Sequence, residues 1–335
     1  MPRTGFGLAL APRLVYDLPH PYSAFRSPAL FDARSDSLPL AFAKLHLSVL
    51  LAGFTGVFGR LISLNEGLLV WYRLLITTLV FGAMLGLSGR MPKISFRDAL
   101  RMGGVGALLA LHWVFFYGSI KASNVSVGVV CVSTVGFFTA VMEPLVDRRR
   151  VSLLEIAFSL LTVAGVGLIF HFDTRYRAGI ALGIVGSVLG ALFTIINKRV
   201  ARGRQAPTVL WYELVGGFLG LSCFLPLYLP ALSVPFALPD GPDFLYLLML
   251  SLFCTIGLYI LQIQALQRIS AFTVNLAYNL EPVYSIVLAM LFLGEARQLN
   301  AAFYAGLGLI VLSVALQTLS AMRRNRAVMH LPGSA

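Results

Sequence analysis

The chain has 335 residues, 58% hydrophobic and 12% charged, with a mean hydropathy of +0.83 and a formal net charge of +12. Soluble globular chains carry roughly 25% charged residues, so a water-soluble fold is excluded. The apolar runs are unbroken rather than alternating, which excludes a membrane barrel and leaves a bundle of membrane helices.

Residues 1–40 hold Pro2, Pro12, Pro19, Pro21, Pro28 and Pro39. Pro12 and Arg13 cut the apolar stretch 5–11, so no signal peptide is read there, and the segment reads as a disordered cytoplasmic tail. Ten spans of about bilayer length follow, at roughly 41–63, 67–88, 97–119, 123–145, 151–170, 177–199, 206–229, 243–267, 271–293 and 299–320. Residues 321–335 read as a short cytoplasmic tail. Twenty Lys and Arg residues fall on the side of the N-terminus and five on the other. This bias puts both termini in the cytoplasm and explains the basic charge without nucleic acid. Cys131, Cys223 and Cys254 lie inside spans without CxxC spacing, and the five histidines are scattered, so neither metal nor other cofactor is expected.

Residues 70–74 read VWYRL and residues 210–214 read LWYEL, an offset of 140 that becomes 146 in later spans. Self-similarity over ten spans implies two halves of five, at 41–170 and 171–320. An odd span count turns the second half upside down, the organisation of secondary transporters with a midplane site. Arg73 and Glu213 each lie ~9 Å inside opposite faces of a ~30 Å core. They differ by ~12 Å in height, so a direct pair between them is not expected.

The stretch NLEPVYSIVLAMLFLGEARQLN (279–300) sets Pro282 before an apolar run that ends in Gly294-Glu295. It resembles the EamA-type carriers of the drug/metabolite transporter superfamily. The first half departs from the pattern, with Gly136 at the proline position and Arg149 near the Gly-Glu position. The resemblance implies an all-α integral membrane fold, ten transmembrane helices as two inverted five-helix repeats around a central cavity. Spans one, three, four, six, eight and nine would line that cavity.

Candidate site residues follow from polar groups at depth. Glu281 lies near the midplane, where a carboxylate costs ~3 kcal/mol or more unless paired or wet. It reads either as a substrate- or proton-binding group, or as a carboxylate bonded to backbone freed by Pro282. Tyr278 and Ser285 share its side, while Asn275 and Asn279, four apart, share a face. In span three, His112 and Trp113 are candidates. In span eight, Tyr259, paired with Trp113 by the offset, and Gln262 match them. Arg73 either attracts an anionic or zwitterionic substrate or anchors the leaflet, with Trp71 and Tyr72 in an aromatic belt. Glu213 is expected to be structurally paired, and Glu143 to meet Arg148–Arg150. Glycines at 53, 56 and 59, at 179, 183, 186 and 190, and at 216, 217 and 220 permit close helix contact.

These features describe a secondary transporter of the bacterial inner membrane, moving a small metabolite such as an amino acid outward by alternating access. It would act as a monomer in the lipid bilayer, without an ATP-binding domain in this chain and without enzyme activity. A channel or sensor is the alternative. A lipid-modifying enzyme is weaker, because the nearest polar cluster, Glu143, Asp147 and Glu155, holds neither His nor Cys.

Overall fold

A computed structural model describes residues 36–89, 91–148, 153–172, 176–269 and 271–329. The expected N-terminal tail therefore lies outside the described residues, apart from residues 36–40. Every described element is helical: α1 (Leu38–Leu61), α2 (Glu66–Leu87), α3 (Phe96–Ala122), α4 (Val125–Val132), α5 (Val135–Asp147), α6 (Leu153–Phe172) and α7 (Arg177–Val200). Then come α8 (Ala206–Ala231), α9 (Gly241–Ser251), α10 (Leu258–Leu266), α11 (Ala271–Tyr278), α12 (Glu281–Leu293) and α13 (Ala301–Met329). Ser37, Asn65, Ser95, Asn124 and Asp240 start their helices by accepting a first-turn backbone N–H.

Among the described residues, seven stretches are long and apolar enough to cross a membrane, counting α4–α5 and α9–α10 as one stretch each. Shorter apolar helices occupy Ile156–Ile169, Glu281–Leu293 and Ala301–Gln317. Large side chains such as Leu79, Leu87, Leu227 and Phe292 face outward, as lipid requires.

Three details depart from the sequence expectation. The fourth and ninth stretches are broken, at Ser133–Thr134 and at Asn279–Leu280. The hydroxyls of Ser133 and Thr134 donate to the carbonyls of Val129 and Cys131 at 3.2 and 2.7 Å, and such local bonds compete with the helix ladder. At the second break, Pro282 has no N–H to give to the turn below it, and Leu280 bonds back three residues to Ala277 at 3.0 Å. Asn275 and Asn279 therefore do not lie on one continuous helix. The eighth stretch carries a π-helical turn, Leu252–Gly257, between α9 and α10. Finally, α13 stays helical to Met329 instead of ending near 320.

The breaks are placed alike. From α4 to α11 both ends shift by 146 residues, and so do both ends of α5 and α12. Arg148 and Gly294, which end α5 and α12, are both left-handed, at φ 51° and 67°. Both ends of α1 and α7 differ by 139.

Two helix pairs, α2 with α8 and α6 with α13, pack in opposite directions. Glu66, at the start of α2, accepts from Tyr228 near the end of α8 at 2.6 Å, while Gly82, late in α2, seats the ring of Trp211, early in α8. In the same way α6 meets α13. Thr162 donates to Ser313 at 2.9 Å and Ser313 donates to the Phe158 carbonyl at 2.6 Å. Further along, a Cβ on either Gly165 or Gly306 would come within 2.6 Å of the other's carbonyl oxygen. Such small-residue contacts take the place of the hydrophobic effect between helices in lipid. Elsewhere α3 packs against α7 and α8, and α1 against α10 and α12.

Candidate functional site

The repeated word lies on α2 and α8. Trp71 Nε1 donates to Ser222 Oγ at 2.8 Å, and the ring of Trp211 occupies the corresponding place against Gly82. Tyr72 donates to the Ala237 carbonyl at 3.2 Å, ahead of α9, and Tyr212 donates to the Pro92 carbonyl at 2.9 Å, ahead of α3. These aromatic residues fasten α2 to α8 and to the segment before α9, and α8 to the segment before α3.

Arg73 does not reach for a membrane surface, which corrects the anchor reading. It is 3% exposed. Its Nε and Nη2 donate to Thr255 Oγ1 at 3.1 and 2.9 Å, and its Nη1 donates to the Tyr117 hydroxyl at 2.7 Å. The guanidinium carbon lies 3.9 Å over the Trp113 ring, a cation–π contact. Thr255 belongs to the π turn, a type of helix defect that recurs at functional sites. Its own proton goes to the Leu250 carbonyl at 3.0 Å. No carboxylate among the described residues is within ion-pair distance of Arg73.

Glu213 also departs from expectation. It is 5% exposed, and its Oε1 has no hydrogen-bond partner among the described residues. The pairing anticipated for it is not formed there. Its backbone carbonyl is pressed against Gly106 of α3, where a Cβ would have no room.

His112 accepts a different role from that of its neighbour Trp113. Its Nδ1 is 2.8 Å from the Gly186 carbonyl of α7. A carbonyl can only accept, so Nδ1 carries the proton and Nε2 is left as an acceptor. Its ring lies parallel to Phe116 at 6.4 Å.

Glu281 begins α12 directly after the break. It is half-buried, and no hydrogen bond to its carboxylate is found among the described residues. Pro282 sits in the first turn of α12, where a missing N–H leaves nothing unpaired. Tyr278 donates to Ser48 of α1 at 3.1 Å, and Ser285 donates to the Gly53 carbonyl at 2.9 Å. Asn279 lines an apolar groove with Val130, Pro282 and Leu307. Asn275 lies in α11, its side chain outside the described residues. Tyr259 packs edge-on to Phe81 at 6.4 Å, and Gln262 is half-buried on α10.

The structure thus joins Arg73 and Trp113 with Tyr117 and Thr255, two residues that sequence reasoning missed. Tyr117 lies one helical turn from Trp113, which is the signal that could have found it; Thr255 offered none. Two interfacial groups complete the picture. Glu143 pairs with Lys198 at 2.6 Å. Glu295 is 2% exposed and accepts from the Val125 and Ser126 N–H groups and the Ser126 hydroxyl at 2.8, 2.9 and 2.6 Å. The Gly-Glu pair at the end of α12 therefore caps α4.

The EamA-like transporter family model matches residues 41–171 and 177–319. The chain belongs to this family. It is similar to an uncharacterized transporter of Bacillus subtilis (strain 168), YxxF, at 23% identity over 301 residues, 88% of this chain and 94% of the relative. An uncharacterized transporter of Clostridium kluyveri is 23% identical over 190 residues, 54% of this chain and 60% of the relative. A crystal structure of a protein at 19% identity matches with a TM-score of 0.58, over 86% of this chain and all of that one. That likeness is one of fold. This EamA-like chain is a multi-pass membrane protein of a transporter family.

Proposed function

We propose that the chain is a secondary carrier of the bacterial inner membrane that exports a small metabolite, such as an amino acid, by alternating access. Two inverted five-helix repeats, 41–170 and 171–320, enclose a central cavity, with both termini in the cytoplasm, and the unit works as a monomer. The observation that carries this reading is the packing of counterpart helices: α2 runs against α8 and α6 against α13, each pair antiparallel, with contacts exchanged across the pair. Breaks at matched positions in α4–α5 and α11–α12 add support, since interrupted helices form the binding sites of many carriers. Glu281, at the second break, is the group assigned to substrate or proton binding, and His112 and Tyr278 lie on helices that border the same interior.

The test uses vesicles containing the full chain and loaded with a small-metabolite extract of the cells. Saturable, counterflow-stimulated release of particular solutes is expected, and unsaturable leakage of all of them would indicate a channel. In the same vesicles Glu281→Gln is expected to lower the rate at least tenfold. Wild-type rates with unchanged pH dependence would remove Glu281 from the mechanism.

A further inference from the structure

We propose that Arg73, Tyr117 and Thr255 form a carboxylate-recognition site, so that the transported metabolite carries a free carboxylate. The inference deepens the carrier reading and rests on it. Its starting point is an imbalance of charge. Arg73 is buried within a membrane-embedded bundle, yet its partners are two neutral hydroxyls and an indole ring. A buried cation is stable when paired with an anion and fully hydrogen-bonded. Among the described residues the protein supplies no such anion, so the positive charge is held for something that arrives.

Donor accounting points the same way. A guanidinium has five N–H groups, and three bonds are formed. Nη1 and Nη2 each keep a second hydrogen for the oxygens of a carboxylate. Tyr117 accepts from Nη1, so its own proton is free for a ligand oxygen, and no acceptor for it exists among the described residues. Thr255 does the opposite work. With its proton committed to Leu250 and its oxygen taking two bonds from Arg73, it fixes the plane of the fork. Trp113 covers one face of that plane, so a ligand approaches edge-on, where the free donors are.

The site also joins the two halves of the chain. Arg73 and Tyr117 come from α2 and α3, while Thr255 comes from the π turn of the eighth stretch. Any movement of one half against the other changes the angle of the fork. A carboxylate bound there is therefore gripped in one arrangement and loosened in the next, which is what a carrier needs of its binding group.

The vesicle-release assay supplies the test. Solutes released saturably by the full chain are identified by mass spectrometry, then offered again with the carboxylate converted to the carboxamide. Release of carboxylates is expected, with at least a tenfold loss for each amide. Arg73→Gln should raise KM for the acid at least tenfold, and Tyr117→Phe, which keeps the ring and its packing, at least threefold. If nothing is released saturably, the carrier reading itself falls. If release occurs but the solutes lack carboxylates, or the amides move as well as the acids, only this site assignment is overturned. Should Arg73→Gln not fold, as judged by size-exclusion chromatography, Tyr117→Phe decides alone, and a wild-type KM there overturns the proposal.

Discussion

The segments Trp71-Tyr72-Arg73 and Trp211-Tyr212-Glu213 lie on α2 and α8, which pack together, and they agree in two residues out of three. Both tryptophans pack on the facing helix, and both tyrosines donate to a carbonyl ahead of the opposite half's third stretch. Even the backbone of the third residue is treated alike. The Arg73 carbonyl accepts from Ser251, and the Glu213 carbonyl meets Gly106, a position that Ser251 repeats 145 residues later. Only the charged groups differ, one bonded to hydroxyls and one left with a bare oxygen. The like residues pack alike, whereas the charge at each site answers to what surrounds its tip.

The comparison breaks most sharply at Gly106. Gly106→Ala would drive a Cβ into the Glu213 backbone, which cannot rotate away, and a loss of about 3 kcal/mol is expected from overpacking. Ser251→Ala, its counterpart, gives up only a 3.3 Å hydrogen bond, worth about 1 kcal/mol or less. Thermal unfolding of both variants in detergent checks this, and equal stabilities would mean that the α3–α8 contact is looser than the geometry says. The charged pair should separate by sign. Arg73→Gln loses charged hydrogen bonds to Tyr117 and Thr255, for about 2 kcal/mol. Glu213→Gln removes a buried charge that lacks a partner on one oxygen, so stability should hold or rise by about 1 kcal/mol. A loss at Glu213 as large as that at Arg73 would reveal a partner for the carboxylate. The smallest effects belong to the tyrosines. Tyr72→Phe and Tyr212→Phe should each cost about 1 kcal/mol, and the two losses should add in the double variant, because the contacts lie apart. A several-fold difference between them would end the equivalence of the two segments.

Much of the fold was legible because hydropathy and period are properties of the chain itself. The apolar stretches, the offsets of 140 and 146, and the glycines of α1, α7 and α8 could all be read in advance. So could Pro282 and Gly294-Glu295, although not that Glu295 would cap α4. The breaks were hidden for different reasons. Ser133–Thr134 lies in a stretch whose hydropathy runs on without interruption, and the break there is marked only by hydroxyls turned back to the Val129 and Cys131 carbonyls. Asn275 and Asn279 read as one face of a continuous helix, but the turn at Asn279–Leu280 separates them. The candidate site was half legible: Arg73 and Trp113 were named, while Thr255, 182 residues from Arg73, carried no mark.

The sequence by itself determined that this is a helical membrane protein, because the length of an apolar run needs no knowledge of neighbours. It could not determine where a buried charge finds its partners. A carboxylate or guanidinium in lipid takes the nearest hydroxyl, ring or carbonyl, and nearness is set by how helices far apart in the chain pack together. That is why Arg73, read as either a substrate group or a leaflet anchor, lies inside the bundle, and why Glu213, read as paired, keeps an open oxygen.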